Sequence, residues 1–338
     1  MGVNRKSSVP TMKDVAELAG VSLGTVSNVV RGLPVGEEYR EKVDSAIRAL
    51  NYKVNSYAQG LKADRTNTVA VLVPNLVSPF FACLVNEISS ALAKRSYRMM
   101  LYCTNYNPKL EQEYVSLARQ NKVDGIIGLT YNPKLILGEG LRFVSIDRCI
   151  SPYISCVASD NFQGGRLAAE KFAQLGCRSV AFFRIGSGLD KEPNKRKAGF
   201  EDGCRALGLH YDMKILEDGD DQMEWYHFLE DHLHDGKLDF DGIFCVNDVT
   251  AYINIGFLRR LGLSVPDDVQ VIGFDGTRRF GDLEYECSTI VQPVKDMAEM
   301  SVQLLLQDDS AIRPPLVCLP VTYAAGGTTK EPVEQAVE

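Results

Sequence analysis

Polar side chains suited to holding a small hydroxylated ligand stand at the ends of predicted strands and in one loop that leads into a helix. They are Asp147, Arg148, Arg196, Asn247, Asp248, Asp275 and Gln292. Carboxylates accept hydrogen bonds, guanidinium groups donate them in a fixed fork and amides do both, so every hydroxyl of a neutral polyol could be paired. Each residue alone has an ordinary alternative, because Asp and Asn after strands often cap helices or form turns. We expect Asp248 to be such an N-cap and not a ligand contact.

The sequence shows no comparable pattern for catalysis or metal binding. Its four histidines are His210, His227, His232 and His234, and the last three fall in EWYHFLEDHLHDG, a predicted acidic helix with His227 and His234 on one face. A solvated helix face is favoured over a metal site, because His232 is offset and no further ligand motif follows. No G-x-S-x-G elbow or Walker loop occurs, and no G-x-G-x-x-G loop follows the first strand. We therefore expect neither an enzyme nor a bound cofactor.

The polar candidates depend on an alternation of strand and helix that begins at residue 68. Short apolar runs lie at 68–74, 97–104, 124–130 and 142–147, and again at 179–185, 213–219, 241–247 and 268–275. These two sets predict an α/β body with two doubly wound parallel sheets. A last strand pair near STIVQP and PPLVCLPVTY would tie the two sheets together. Because ligands of such sheets bind at the carboxyl ends of the strands, the polar residues there are the first candidates.

An all-α segment precedes this body. Residues 11–32, TMKDVAELAGVSLGTVSNVVRG, predict two short amphipathic helices joined by a tight turn that contains glycine. Thr11 and Asp14 have capping-box spacing, and Ser22 can cap the second helix. This is the build of a helix-turn-helix that reads DNA with the first turns of its second helix. An ordinary helical hairpin is the alternative, but residues 36–52 supply a third amphipathic helix that could complete a small core.

The order of these segments resembles the lactose-repressor family (LacI/GalR type) of bacterial transcription regulators. The resemblance rests on the run from TMKDVAELAGVSLGTVSNVVRG to YKVNSYAQGLKADRTNTVAVLVP and covers nearly the whole chain. It implies a helix-turn-helix headpiece, a hinge helix and a body like a ribose-binding protein. The implied domains are a headpiece at 1–54, a hinge at 55–67, a body at 68–330 (N-subdomain about 68–162 and 294–320, C-subdomain about 163–293 and 321–330) and a tail at 331–338.

By this resemblance, the polar set matches the positions at which the family holds a sugar. The implied effector contacts are Ser78, Phe80, Asp147, Arg148, Arg196, Asn247, Asp275 and Gln292. In the loop SPFF, Phe80 and Phe81 could give the sugar ring an aromatic face, although packing at the sheet edge suits Phe81 equally well. Two carboxylates disfavour a nucleotide. A sugar phosphate held by both arginines stays open.

The resemblance also implies that two chains together bind a palindromic operator. The implied DNA contacts are Thr11, Ser22, Leu23, Gly24, Thr25, Ser27, Asn28, Asn55, Tyr57, Ala58 and Leu61. The helix-capable piece of the hinge, residues 55–61, is too short to be a stable helix alone in water, so it would order when two copies meet on DNA. Leu61 would then be an apolar wedge in the minor groove, the alternative being a plain linker leucine. Closure of the body on its effector would alter how the two hinges pair.

The chain departs from the family pattern at positions that bear on specificity. Leu23 and Gly24 occupy the paired recognition positions, where glycine has no side chain to read a base. Asn28 replaces a common arginine and could pair with adenine in the major groove. Gln59 and Gly60 stand where the hinge usually has arginine and a small residue. One phosphate contact is therefore expected to be missing and the hinge to be weaker.

Charge and composition agree with this organisation. The 338 residues are 45% hydrophobic, and the net charge of -7 divides into +3 for residues 1–66 and -10 for the remainder, which confines phosphate contacts to one end. The nine cysteines stand singly in apolar runs and are expected to be buried thiols in a reducing cytosol. With no signal peptide and no apolar run of ~18 residues, we expect a cytoplasmic, nucleoid-associated bacterial protein that does not bind a membrane.

Two kinds of control stay open from the sequence. The favoured function is a sugar-responsive repressor, because the polar set suits a neutral polyol. The alternative is the same DNA-binding protein controlled by a purine, a sugar phosphate or a protein co-effector. The tail carries no leucine heptad, so a homodimer is expected and not a tetramer.

Overall fold

The computed structural model describes residues 10–52, 66–130, 132, 134–186, 191–277, 285–308 and 314–331. The chain divides into two compact units, one at 1–66 and one at 67–338. The first unit is helical and the second is built on two largely parallel sheets, so the fold class is the α/β arrangement that the sequence predicts. Each unit has its own apolar core.

The first unit contains α1 (Met12–Ala19), α2 (Leu23–Val30) and α3 (Glu37–Ala49). The capping box predicted for α1 is present: the Thr11 N–H donates to Asp14 Oδ2 at 2.7 Å, and the Asp14 N–H donates to Thr11 Oγ1. Gly20 ends α1 at φ 63°, in the left-handed region that glycine adopts without strain. Ser22 Oγ then accepts from the Thr25 N–H at 3.1 Å and starts α2. Local capping therefore fixes the turn between the two helices.

A small core holds these helices together. Val15, Val26 and Val43, one from each helix, are fully buried. Tyr52 closes the same cluster after α3. Because these apolar faces turn inward, the polar first turns of α2 are left on the surface.

The first sheet of the second unit has the strand order β13-β5-β4-β3-β1-β2 within the described residues, with every neighbouring pair parallel. Its strands are β1 (Thr68–Val73), β2 (Arg98–Cys103), β3 (Gly125–Gly128), β4 (Phe143–Ile146), β5 (Cys156–Ser159) and β13 (Leu316–Leu319). The helices beside it are α4 (Pro79–Ala93), α5 (Pro108–Gln120) and α10 (Val294–Leu306). They contribute apolar residues to its core clusters.

The second sheet has the strand order β14-β12-β11-β10-β6-β7 in the described part of the chain, and β14 is its antiparallel member. Its strands are β6 (Ser179–Ile185), β7 (His210–Leu216), β10 (Gly242–Cys245), β11 (Gln270–Asp275), β12 (Ser288–Val291) and β14 (Thr322–Ala324). Around it lie α6 (Asn161–Gln174), α7 (Lys195–Leu207), α8 (Met223–Asp231) and α9 (Asp248–Arg260). Their apolar faces form its core.

The end of the chain confirms the predicted strand pair near STIVQP and PPLVCLPVTY and adds one further strand. The segment PPLVCLPVTY contains two strands, and β13 extends the first sheet while β14 pairs with β12 in the second. Strand β5 was not predicted either, because its four residues are too few to show a period. The chain thus passes between the sheets after β5, after β12 and between β13 and β14.

The predicted histidine helix is shorter than expected. It ends at Asp231, so His232 caps its C-terminus and His234 lies in β8 (Leu233–His234), which pairs with β9 (Lys237–Leu238). The prediction that His227 and His234 share a helix face is therefore wrong, because the chain forms the β8–β9 hairpin after Asp231. Among the residues that the structure describes, no cluster of metal-ligating side chains is found.

The cysteines are free thiols, but not all of them are buried. Cys156, Cys204 and Cys245 are buried as predicted, whereas Cys149 is exposed because the segment after β4 runs over the surface. None of the described helices is long and apolar enough to cross a bilayer.

Two glycines let α6 and α7 approach closely. A Cβ at Gly165 would collide with the carbonyl oxygen of Arg196, and a Cβ at Gly199 would collide with that of Phe162. The backbones therefore pack directly on each other, which only glycine permits. This packing places the first turn of α7, with Arg196, against the start of α6.

Candidate functional site

A cavity of about 670 Å³ opens between the two sheets of the second unit, at the carboxyl ends of their parallel strands. This volume lies in the range of roughly 300–1,000 Å³ that is typical of small-molecule sites. The structure brings all the sequence-predicted effector residues to its wall. These are Ser78, Phe80, Asp147, Arg148, Arg196, Asn247, Asp275 and Gln292. The residues chosen by the strand-end rule, Asp147, Arg148, Asn247, Asp275 and Gln292, therefore line one cavity.

Asp147 follows β4 with a left-handed backbone, at φ 58°. Its side chain is only 8% exposed, and its Oδ1 has no hydrogen-bond partner among the described residues. Burial raises the pKa of this carboxyl to about 6, although the Arg196 cation opposes the shift. A buried acceptor left without a donor costs about 1–3 kcal/mol. Asp147 therefore contributes to the cavity wall, while its Oδ1 is shielded from solvent and unsatisfied among the described residues.

Arg148, the next residue, is half-buried at the cavity wall. Its Nη1 donates to the carbonyl oxygen of Asn132 at 2.7 Å, and Asn132 Nδ2 donates to the carbonyl oxygen of Pro108. These bonds tie Arg148 to loops of the first sheet. A guanidinium has several N–H donors, so this bond leaves it capacity to donate to a ligand.

Arg196 begins α7 and is 4% exposed. Its Nε donates to Asn161 Oδ1 at 2.7 Å, and its Nη1 donates to the carbonyl oxygen of Val246 at 2.6 Å. The same Nη1 lies 3.7 Å from Asp275 Oδ1, and the guanidinium carbon lies 3.6 Å from the centre of the Phe274 ring. Hydrogen bonds, charge and ring stacking together fix its orientation.

Asp275 and Gln292 form a hydrogen-bonded link beside Arg196. Gln292 Nε2 donates to Asp275 Oδ1 at 2.7 Å, and Gln292 Oε1 accepts from Ser159 Oγ at 2.7 Å. Burial raises the pKa of Asp275, the Arg196 cation opposes this shift and the Asp248 carboxylate adds to it. Because Ser159 ends a strand of the first sheet and Asp275 one of the second, Gln292 connects the two halves of the cavity.

The start of α9 corrects the prediction for Asp248. Asn247 is the N-cap, since its Oδ1 accepts from the Thr250 N–H at 2.8 Å. Asp248 is buried, and its carboxylate accepts from the Gly276 N–H at 2.9 Å and from the Thr289 hydroxyl at 2.6 Å. The N-cap prediction for Asp248 is wrong because this carboxylate ties α9 to the neighbouring strands. Asn247 both caps the helix and lines the cavity.

The segment after β1 supplies the aromatic wall. Asn75 Oδ1 accepts from the N–H groups of Val77 and Ser78, and α4 begins directly after Ser78. Phe80 and Phe81 are both buried, with ring centres 5.8 Å apart, and both line the cavity while packing into the core of the first sheet. Phe81 therefore both lines the cavity and packs against the first sheet, so both roles considered for it from the sequence apply.

Several polar cavity residues were not predicted from the sequence. Arg184 lies near the end of β6 and Asp218 follows β7, so the strand-end rule could have found both. Lys191 precedes the 3-10 turn Glu192–Asn194, and no sequence signal marks it. Tyr106 is a further polar lining residue.

The first turns of α2 are the candidate DNA-reading surface. Ser22, Leu23, Gly24 and Asn28 are exposed, Thr25 and Ser27 are half-buried, and Thr11 is exposed at the start of α1. A Cβ at Gly24 would lie 3.6 Å from Ser22 Oγ, an ordinary contact, so packing does not demand glycine there. The predicted hinge contacts Asn55, Tyr57, Ala58 and Leu61 lie outside the described residues.

Comparison with known proteins gives matches over most of the chain. Residues 66–304 match the family model for periplasmic binding proteins and the sugar binding domain of the LacI family. Residues 11–55 match the model for bacterial regulatory proteins of the lacI family. One match thus falls on the helical unit and the other on the two-sheet unit.

Individual relatives agree with these family matches. The sucrose operon repressor of Pediococcus pentosaceus is 34% identical over 305 residues, which cover 88% of this chain and 92% of that protein. A periplasmic binding protein/LacI transcriptional regulator from Alkaliphilus metalliredigens QYMF, solved with D-xylulofuranose, is 27% identical with a TM-score of 0.68 and covers 78% of this chain and 100% of its own. The lac repressor dimer bound to operator shares the fold, with a TM-score of 0.80, 24% identity and coverage of 95% and 99%.

Proposed function

Because this chain belongs to the lacI family of bacterial regulatory proteins, which are DNA-binding transcriptional repressors and not enzymes, we propose that it is a repressor controlled by a small carbohydrate. Two copies would bind a palindromic operator through their helix-turn-helix units. The carbohydrate would bind in the cavity between the two sheets and change the operator affinity.

The observation that carries this proposal is the convergence of donors and acceptors on one cavity, with Asp147, Arg148 and Asn247 at its wall. A cavity lined by both kinds of group selects a ligand that can donate and accept hydrogen bonds. Carbohydrate hydroxyls both donate and accept. They could therefore satisfy Asp147 and also pair with Arg148 and the Asn247 amide.

The aromatic wall and the relatives support a carbohydrate over other small molecules. Phe80 and Phe81 offer apolar ring surface beside the polar groups, which suits the C–H face of a sugar ring. One relative is named a sucrose operon repressor, and one structural neighbour was solved with D-xylulofuranose. We propose a ligand of the same chemical class for this chain.

The predicted DNA contacts would read the operator in two ways. The exposed first turns of α2 would enter the major groove, where Asn28 can pair with adenine. Leu61 of the proposed hinge would act as a wedge in the minor groove at the operator centre. The proposed domain limits are 1–54 for the headpiece, 55–67 for the hinge and 68–330 for the effector-binding body of a cytoplasmic protein.

Control would come from a difference in effector affinity between two arrangements of the cavity halves. Gln292 bonds to Ser159 on one side and to Asp275 on the other, so a ligand that pulls these groups would change the angle between the sheets. An effector can shift the equilibrium only by its difference in affinity for the two arrangements. Operator DNA must, by linkage, change the effector affinity by the same factor.

Thermal-shift screening of the full chain tests the proposal, because a ligand of the native state raises its apparent stability. The screen contains pentoses, hexoses, disaccharides, sugar phosphates and purines. We expect a carbohydrate to raise the melting temperature and to change operator affinity in a fluorescence anisotropy titration. The Asp147→Asn variant should lose this response. Asp231→Asn, an exposed change at the end of α8, is the matched control.

The outcomes separate the candidate controls. A carbohydrate response that survives Asp147→Asn would move the binding site away from this cavity wall. A response to purines alone, or to no compound in the screen, would overturn carbohydrate control and leave only the DNA-binding function of the family.

A further inference from the structure

Three of the nine cysteines gather on one side of the first sheet, and none of the three lines the cavity. Cys149 follows β4, Cys156 begins β5 and Cys318 lies in β13. Cys149 and Cys318 are exposed, whereas Cys156 is fully buried. No group of side chains in the described part of the chain is arranged to hold a metal ion, so oxidation of thiols is the chemistry open to this cluster.

Cys149 and Cys156 are in contact although they differ in exposure. Burial raises the pKa of the Cys156 thiol well above its ordinary value, and the charge of Cys149 and a hydrogen bond with its side chain add to this shift. Ser145 of β4 lies opposite Cys156 in the sheet, so the segment after β4 folds back to bring Cys149 to it. An exposed thiol and a buried thiol thus touch each other.

The sheet holds the third thiol, Cys318, away from Cys156. Strand β13 pairs with β5 in a parallel register that sets Cys318 opposite Ala158. Residues two apart in a strand share a face, so Cys156 and Cys318 lie on one face with their Cα atoms roughly 8 Å apart. A disulfide usually has about 4.4–6.8 Å between its Cα atoms. Cys149 is therefore the better partner for Cys156.

The charges near the cluster do not distinguish the two exposed thiols. A hydrogen bond to Glu192 raises the pKa of the Lys195 amine, and the charges of Cys318 and Cys149 add smaller effects, so Lys195 is close to both. Its Nζ lies 2.8 Å from a Glu192 oxygen, and this pair uses most of its charge. What distinguishes Cys149 is that it is both accessible to an oxidant and in contact with a second thiol.

We propose that Cys149 and Cys156 form a reversible disulfide when the protein meets a hydroperoxide. The exposed Cys149 thiolate attacks one peroxide oxygen and the O–O bond breaks, which leaves a sulfenic acid on Cys149. The departing oxygen takes the proton that the Cys149 thiol gave up. The Cys156 sulfur then attacks the Cys149 sulfur, the S–O bond breaks, and hydroxide leaves with the Cys156 proton as water.

This reaction balances with one equivalent of hydroperoxide, which is reduced by two electrons while two thiols are oxidised to one disulfide. Burial keeps Cys156 protonated and weakly nucleophilic, but its contact with Cys149 gives the second step a high effective concentration. A small thiol reverses the bond by exchange. In a reducing compartment such a disulfide is transient, which is typical of redox sensing.

The disulfide would alter the cavity wall beside it. Asp147 and Arg148 immediately precede Cys149, and both line the cavity. A disulfide holds its sulfurs about 2.05 Å apart, closer than sulfurs in a hydrogen-bond contact, so the segment after β4 would be drawn towards β5. Arg148 would then be displaced from the Asn132 carbonyl oxygen that it contacts at 2.7 Å. Effector affinity should fall in the oxidised protein, and this consequence alone rests on the proposed function.

Peptide mapping of the oxidised full chain tests the bond directly. Trypsin cleaves after lysine and arginine, so Cys149 and Cys156 lie together on residues 149–166 and Cys318 lies on another peptide. The protein is treated with hydrogen peroxide, unfolded and labelled with N-ethylmaleimide. We expect the peptide 149–166 to appear unlabelled and lighter by two hydrogen atoms than its reduced form. Dithiothreitol added before the label should restore labelling of both cysteines.

The two exposed cysteines provide matched variants. Cys149→Ser should abolish the bond and leave Cys156 as a thiol that is labelled after unfolding. Cys318→Ser, an equally exposed change on the same face, should form the bond as the parent does. The proposal would be overturned by a peroxide-treated parent that keeps both labels, or by one in which Cys149 is joined to the Cys318 peptide. Conversion of Cys149 only to sulfinic or sulfonic acid would overturn it as well.

Titration of a carbohydrate found in the thermal-shift screen tests the consequence for the cavity. The oxidised parent should bind it at least about tenfold more weakly than the reduced parent, as for the loss of one aligned hydrogen bond to a charged group. Cys149→Ser should bind equally before and after peroxide. Unchanged affinity in a parent with the mapped bond would refute the link to the cavity. A mapped bond in a protein that binds no carbohydrate would overturn the proposed function and leave the disulfide in place.

Discussion

The two halves of the cavity differ in how far their polar groups are satisfied within the protein. In the second half, Arg196 and Asp275 face each other, and each has a further hydrogen-bond partner. In the first half, Asp147 keeps a buried oxygen that has no partner within the described ranges. The polar groups of the second half are therefore satisfied within the protein, whereas the first half carries an unsatisfied carboxyl oxygen.

This difference predicts opposite costs of substitution. Removing a satisfied charge leaves its partners buried and unpaired, which destabilises the fold. Removing an unsatisfied charge relieves a cost that the fold already carries, so stability should rise while ligand affinity falls. Substitutions in the two halves should thus separate stability from binding.

Arg196→Met should give the largest loss of stability. It leaves Asn161 Oδ1, the Val246 carbonyl and the Asp275 carboxyl without their cation, at a cost of about 3–5 kcal/mol. The melting temperature of the body should fall by roughly 10 °C, measured by differential scanning calorimetry. Lys197→Met on the same helix is the control. A melting temperature equal to that of the parent would show that packing alone holds the second half together.

Gly165→Ala should rank next, because its Cβ would collide with the carbonyl oxygen of Arg196. We expect a loss of about 3 kcal/mol as α6 and α7 separate, and a shift of Arg196 that weakens effector binding as well. Gly256→Ala on α9 is the matched control, since its Cβ meets nothing within 4 Å, and it should leave stability unchanged or slightly raised. Equal melting temperatures for the two variants would refute direct backbone packing.

Asp147→Asn should stabilise the protein at pH 7.5, by about 1–2 kcal/mol, while abolishing the effector response. Its carboxyl has a folded pKa of about 6, above the ordinary value of 3.8. The unfolded chain therefore ionises first as pH rises, and the native protein loses stability through the window from about 4 to 6. At pH 3.5 the variant and the parent should unfold at nearly the same temperature. A destabilised variant at pH 7.5 would mean that Asp147 already has a partner.

Arg148→Gln should give the smallest change in stability. Arg148 donates to the carbonyl oxygen of Asn132, and its side chain is half-buried. The free energy of unfolding should change by less than about 1 kcal/mol, although effector affinity should fall. A large drop in melting temperature, similar to that of Arg196→Met, would remove the contrast between the two halves.

Much of the site could be predicted because strand ends leave a clear trace in the sequence. A buried apolar run followed by Asp or Asn predicted Asp147, Asn247 and Asp275 at one edge, and the structure places all three at the cavity wall. Arg184 and Asp218 carry the same trace and could have been added by the same rule. In the helical unit, the capping box of Thr11 was readable because capping is a local interaction.

The rest depends on contacts between residues distant in the sequence. The pattern around Asp248 looks like an N-cap, but its hydrogen bond to Thr289 requires the folded sheet. The division of PPLVCLPVTY between the two sheets is likewise decided by which edge strands are unpaired, β5 in one sheet and β12 in the other. No local sequence pattern indicates which sheet each of these two strands joins.

The late arrival of β13 and α10 has a consequence for synthesis on the ribosome. Both complete the first sheet, yet they follow the whole segment from Asn161 to Val291 in the chain. At about 5–20 residues/s, the edge of β5 and the inner face of α4 wait on the order of ten seconds for their partners. The nascent chain should therefore finish most of its second sheet first. Substitutions at the β5 edge should show themselves as aggregation during expression, before any purified protein reveals a defect.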